Sequence, residues 1–116
     1  MSYLEIVEVE IETGKDLFKE LEKLRSEIGN AVILSCSGSL RRVTIFNQIQ
    51  TQSFTSGPYT IISLNGKLDE DIGICFSDQN GRCYGGSLRE GSIIYKSARL
   101  FLIKLGGNEA SLREGK

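Results

Sequence analysis

Only one stretch of this 116-residue chain, Leu17 to Ile28, repeats its apolar residues at helical spacing. Leu17, Phe18, Leu21, Leu24 and Ile28 form one stripe, and Lys, Glu and Arg fill most of the other positions. Thr13-Gly14-Lys15-Asp16 predicts a capping box, in which the Thr13 hydroxyl accepts from the Asp16 amide and the Asp16 carboxylate reaches back. Gly29-Asn30 supplies a left-handed stop, so one main helix is expected over about residues 14–28.

The remaining apolar segments read as strands. Val7, Val9 and Ile11 alternate with Glu8, Glu10 and Glu12, the pattern of a half-buried strand. Ala31-Val32-Ile33-Leu34 is continuously apolar and too short for a helix, which predicts a strand buried on both faces. It runs into Ser35-Cys36-Ser37-Gly38-Ser39. Val43–Phe46, Gln50–Thr55, Tyr59–Leu64, Ile72–Ser77, Arg82–Tyr84 and Ser92 to about Leu105 are rich in β-branched and aromatic residues. Gly57-Pro58 and Asn65-Gly66 break them, and Asp78-Gln79-Asn80-Gly81 marks a hairpin because Asn and Gly tolerate positive φ. Strand, helix, then a succession of strands predicts an α+β domain, mostly antiparallel sheet with one helix packed on it; two small sheets around the helix are the alternative. A single domain over residues 1–106 is expected, with 107–116 a polar, flexible tail.

Composition narrows the function. Fourteen Lys and Arg against fifteen Asp and Glu give a net charge of −1, which argues against unaided binding to nucleic acid. No run is long enough to cross a bilayer, and Met1-Ser2-Tyr3-Leu4-Glu5 has no basic, apolar leader, so a soluble cytoplasmic protein is expected. Histidine is absent, which removes the commonest general base, the Ser-His-Asp triad and nearly every zinc arrangement. Cys36, Cys75 and Cys83 are odd in number and lack paired spacing. They are expected as free, largely buried thiols, with Cys36 offered no neighbouring base. Asp69-Glu70-Asp71 lacks the spacing that wraps one cation and reads as a solvated turn. Ser37-Gly38-Ser39-Leu40-Arg41-Arg42 and Tyr84-Gly85-Gly86-Ser87-Leu88-Arg89 could bring backbone amides and an arginine to an anion, although glycines here more simply mark bulges and strand crossings. Arg41-Arg42, without interleaved aromatic residues, reads as a surface pair.

Taken in order, Gly14-Lys15-Asp16-Leu17, Gly38-Ser39-Leu40-Arg41, Gly57-Pro58-Tyr59-Thr60-Ile61-Ile62-Ser63-Leu64-Asn65-Gly66, Asp78 to Leu88 and Gly91-Ser92-Ile93-Ile94-Tyr95 resemble the plants-and-prokaryotes conserved (PPC) domain family over nearly the whole chain. The stretch from Phe46 to Gly57 is shorter than the family's, which predicts a trimmed hairpin. The resemblance implies an α+β core related to that of acetolactate decarboxylases, assembled as a homotrimer. Plant members join it to an AT-hook whose Arg-Gly-Arg-Pro core this chain lacks, so DNA binding does not transfer with the resemblance. Many prokaryotic relatives carry a His-x-His before the hairpin and a third histidine after the double glycine, where a metal can bind. Aligned through Asp78 and Gly85-Gly86, those positions are Asp71, Gly73 and Ser87 here.

No catalytic residues, metal or cofactor are therefore assigned. The leading expectation is a non-catalytic homotrimeric module that binds a protein partner or a small polar or anionic ligand. A second reading places Ser37, Ser39, Arg41, Asp71, Gly85, Gly86 and Ser87 around one inter-subunit cleft, as a metabolite-binding protein or metal-free enzyme in which Arg41 meets an anion. A third, a DNA-associated regulator, rests on family association alone.

Overall fold

The computed structural model of the protein describes residues 5–104. β1 (Glu5–Glu12) is followed by α1 (Leu17–Ile28), and then by six strands: β2 (Ala31–Phe46), β3 (Thr51–Phe54), β4 (Tyr59–Asn65), β5 (Gly73–Ser77), β6 (Cys83–Leu88) and β7 (Ile93–Lys104). All seven join one antiparallel sheet in the order β1-β7-β2-β4-β5-β6, with β3 on β2. The single sheet displaces the two-sheet alternative. The proposed tail and the end of the last strand at Leu105 lie outside the described residues.

β2 organises the sheet. Ala31–Leu34 and Val43–Phe46 form one 16-residue strand across the molecule, its register shifting at Ile33/Ser35, Gly38/Leu40 and Leu40/Arg42. It is paired along both edges. Leu40 lies between Tyr59 of β4 and Ile94 of β7, and Ile45 between Gln52 of β3 and Leu88 of β6. Because β6 returns to β2, the run β2-β4-β5-β6 closes on itself, while β7 and β1 extend as a wing. Val43, Ile45, Ile61, Ile74, Phe76 and Leu88 are buried from the closed part; Ile11, Ile33, Leu100 and Leu102 are buried from the wing. The α1 stripe Leu17, Leu21 and Leu24 joins the same core.

The helix covers only one face of the wing. Ala31 and Ile33 are buried as predicted, but Leu34 is 50% exposed, so the expectation of a strand buried on both faces does not hold in the single chain. The alternation in β1 follows the same division, with Ile11 buried and Val7 and Val9 packed against the core while the glutamates face out.

The helix start also differs from the capping box. Asp16, not Thr13, is the N-cap: its Oδ1 accepts from the amides of Phe18 (3.0 Å) and Lys19 (3.3 Å). Thr13 instead donates its hydroxyl proton to the Lys96 carbonyl. The physical reason lies across the chain, where Asp16 Oδ2 accepts from Gly91 N at 2.8 Å and Leu17 N donates to Ser92 O at 2.7 Å. A side chain at residue 91 would stand 2.8 Å from Thr44 Oγ1, in a backbone of φ +104°. Glycine therefore permits this approach. Ser92, fully buried, accepts from Thr44 N at 3.1 Å and donates to Arg89 O at 2.9 Å, and Arg89 N donates to Thr44 O. The link between β6 and β7 is thereby bolted to β2 and to the helix N-terminus.

The hairpin at Asp78–Gly81 forms as read, with Ser77 opposite Cys83. Cys75 faces Gly85, so no disulfide geometry arises across this hairpin. The three thiols are free, but only Cys36 is buried; Cys75 is half-buried and Cys83 exposed, since β5 and β6 show their odd-numbered positions to the outside.

Two outcomes follow. Replacing Asp16 by Ala removes an N-cap and the bond to Gly91, and is expected to cost about 2 kcal/mol in urea unfolding, whereas Thr13→Ala leaves helix content unchanged by circular dichroism. Burial pushes the Cys36 thiol up from 9.0 to about 11. The folded state holds this proton more tightly, so the contribution to stability is complete below pH 9 and lost as pH rises towards 11. The difference between wild type and Cys36→Ala in unfolding free energy should accordingly shrink over that window.

Candidate functional site

The residues singled out in the sequence fall into two groups within one chain. Ser37 pairs with Arg99 and Ser39 with Thr60, midway along β2, and Arg41 follows on the exposed surface. Gly73 and Ser87 are directly opposite each other on β5 and β6, and Ser87 also pairs with Phe46 at the far end of β2. Arg41 and Phe46 are five residues apart on one strand, roughly 17 Å at the usual rise. A single protomer thus brings Gly73, Gly86 and Ser87 together and holds Ser37, Ser39 and Arg41 away from them.

The double-glycine and Gly38 segments owe their composition to close backbone approach. A Cβ on Gly38 would lie 2.4 Å from Ser97 O, and one on Gly86 would lie 2.9 Å from Phe46 O. These are the strand crossings offered above as the simpler reading. Gly57 packs in the same way against Arg41 O.

Around Gly73 and Ser87 the chemistry is set by Arg89. Its Nη1 donates to Leu88 O at 3.1 Å and lies 3.6 Å from Asp71 Oδ1, while its guanidinium sits 5.3 Å from the Phe46 ring centroid. The cation is steadied by an aromatic face and a carboxylate. The three positions of the implied metal site thus present an exposed carboxylate engaged by arginine, a glycine with no side chain and one hydroxyl. This set does not fit a transition metal, which asks for several imidazole, thiolate or carboxylate donors. Among the described residues, no three His, Cys, Asp or Glu side chains converge to hold an ion. The sequence offered Arg89 as an arginine beside the double glycine but not its pairing with Asp71 and the Phe46 ring, which depends on contacts from distant segments.

Asp71 also borders a groove of about 330 Å³ between α1 and the β4–β5 connection. Leu21, Leu68 and Ile72 contribute its apolar floor; Glu22, Asp69 and Glu70 make its rim acidic, with Arg25 among them. The solvated turn expected at Asp69-Glu70-Asp71 is therefore one wall of a concave surface.

On the sheet face opposite the helix, rows of side chains follow from the register. Ile6, Ile103 and Val32 form one row, and Glu8, Phe101 and Ser35 the next. Ile6 is 65% exposed, Leu34 50% and Ile62 54%. Glu8 meets Arg99 at 3.3 Å. Among the described residues, no helix is long and apolar enough to cross a membrane.

This arrangement has counterparts. The chain is 34% identical over 95 residues to the Bifunctional protein GlmU of Synechococcus sp. (strain JA-3-3Ab), covering 77% of this chain but 15% of that protein, and 32% identical over 105 residues to its counterpart in strain JA-2-3B'a(2-13). It spans only about one sixth of the length of these curated relatives. A hypothetical protein from Salmonella has a TM-score of 0.82 and 27% identity, with 90% of this chain and 80% of that one covered. A plant- and prokaryote-conserved protein from Pyrococcus horikoshii has a TM-score of 0.72 at 22% identity, covering 92% and 83%. A protein from Bacteroides thetaiotaomicron described as a candidate DNA-binding protein has a TM-score of 0.74 at 17% identity, covering 92% and 85%, a likeness of fold. The sequence profile of the Plants and Prokaryotes Conserved domain matches residues 2–106, and the chain belongs to that family.

Proposed function

We propose that this chain is a homotrimeric assembly module that presents a partner or a small ligand at subunit boundaries and carries no catalytic machinery of its own. The observation that supports this most directly is the uncovered sheet face. Ile6, Leu34 and Ile62 are half or more exposed beside half-buried Val32, Phe101 and Ile103, on a surface that the helix does not cover. Large exposed apolar side chains gathered on one uncovered sheet face point to association. β1 is the edge strand of the wing, its only strand partner among the described residues being β7, and offers a second surface for association.

The occurrence of a similar segment as about one sixth of a longer bifunctional protein fits a module that works beside other domains. Assembly also bears on the divided residues. Ser37 and Ser39 lie within the uncovered region, so the Gly73–Ser87 edge of a neighbouring copy, with its Arg89, could face them. An anion held between Arg41 of one copy and Arg89 of the next is the ligand chemistry this arrangement suits.

Direct DNA binding is the weaker reading, given the net charge of −1 and the fold-only likeness to DNA-binding candidates. A gel-shift assay at low salt, where phosphate-driven binding is strongest, should show no retardation of duplex DNA.

Light scattering at micromolar concentration is expected to return three times the chain mass of 12.8 kDa. Leu34→Glu, which puts a charge on the uncovered face without touching the buried core, should return a folded monomer. A monomeric wild type, or a trimer untouched by Leu34→Glu and by Ile62→Glu, contradicts the assignment of this face.

A further inference from the structure

A second cavity, of about 360 Å³, opens between the β5–β6 turn and the segment that joins β3 to β4. Phe54, Tyr59 and Tyr84 line it together with Ser56, Asp78 and Gln79. The rings are held as one cluster: Phe54 and Tyr84 have centroids 4.8 Å apart, Phe54 and Tyr59 6.2 Å, and Phe76 packs edge-on behind Phe54 and Tyr59 at 5.1 and 5.5 Å. Asp78 is the one charged residue lining the cavity.

Two roles can be separated in the Asp78 carboxylate. Oδ1 accepts from the amides of Asn80 and Arg82, both at 2.9 Å, which is the turn-forming role. Oδ2 is turned instead to the aromatic wall, where its contact is the Tyr84 hydroxyl at 3.3 Å. A carboxylate offers about four acceptor sites, and the long bond to Tyr84 leaves Oδ2 with capacity for a stronger donor. Burial opposes ionisation of Asp78, but bonds from the Arg82 and Asn80 amides and from Tyr84 outweigh it and hold the carboxyl below its usual range. Negative charge, spare acceptor capacity on Asp78 and aromatic walls thus share one concavity, the combination that selects an organic cation.

We propose that this cavity binds an alkylammonium or guanidinium group, with Asp78 as counter-ion and Phe54, Tyr59 and Tyr84 as its walls. The group is either a free amine or the end of a lysine or arginine side chain on a partner. The site is separate from the uncovered sheet face, and the inference stands whether or not the chain is a trimer. Arg82, next to the turn, is the cation that competes for Asp78.

The test is titration of the full chain, followed by NMR, with n-butylammonium chloride, with N-acetyl-lysine methylamide, and with n-butanol as the neutral isostere. Saturable shifts in the millimolar range, confined to Phe54, Tyr59, Tyr84 and the 78–80 amides, are expected for the two amines and not for n-butanol. Saturation by both amines assigns the site to side chains of a partner; saturation by n-butylammonium alone assigns it to free amines. Asp78→Asn keeps an acceptor for the turn amides and removes the charge, so a spectrum of native dispersion with affinity at least tenfold weaker is expected. Arg82→Gln should bind more tightly than wild type. Equal shifts with n-butanol, an Asp78→Asn chain that folds and binds as wild type, or no saturation by either amine overturns the proposal.

Discussion

The structure depends on how one residue of β2, Thr44, is held. Its amide and carbonyl are taken by Ser92 and Arg89, so the short link between β6 and β7 lies against the strand and both strands it joins pair with β2. That grip extends the pairing of Ile45 with Leu88 and of Phe46 with Ser87, which closes the run β2-β4-β5-β6. The same link supplies Gly91 N to the helix-capping carboxylate of Asp16 and Ser92 O to the amide of Leu17, which fixes where the helix starts. The cost of burying these polar groups is offset because each finds a partner; among the described residues, no buried side-chain nitrogen or oxygen lacks one.

Closure of one half of the sheet decides what the other half can do. The closed part buries its own interior, but the β1-β7-β2 wing has the helix on one side only. Its second side keeps Ile6 and Leu34 at the surface, with Ile62 on the neighbouring β4, among charged and serine side chains. A sheet face of this composition is costly to leave in water at roughly 25 cal/mol per Å² of apolar surface, and association is the means by which a small domain removes it. The assembly proposed for this chain is thus a consequence of having one helix for a seven-stranded sheet.

The elements were legible in the sequence where local pattern settles the matter. The alternation in β1, the single apolar stripe of α1 and the Asp78–Gly81 turn are all local signals, and each appears where read. The failures are all non-local. Thr13 has the right spacing for a capping box, but Gly91 draws Asp16 into the cap from 75 residues away. Ala31–Leu34 looks doubly buried because an apolar run carries no record of how many layers cover it. The candidate site was legible in part. Gly73, Gly86 and Ser87 do meet, whereas Ser37, Ser39 and Arg41 fall elsewhere on β2. The Asp71 and Phe46 partners of Arg89 and the aromatic cavity were missed because they bring together side chains from separate segments, and no spacing within one segment reports such a contact.

Side-chain oxidative footprinting of the intact protein addresses the proposed covering of this face directly. Ile49, at 87% exposure on the tip of the β2–β3 hairpin, provides an internal reference for an unprotected aliphatic side chain. If copies meet across the wing and the adjoining β4, Ile6, Leu34 and Ile62 label several-fold more slowly than their exposure in the single chain implies, while Ile49 labels freely. Labelling of all four in proportion to that exposure contradicts the account.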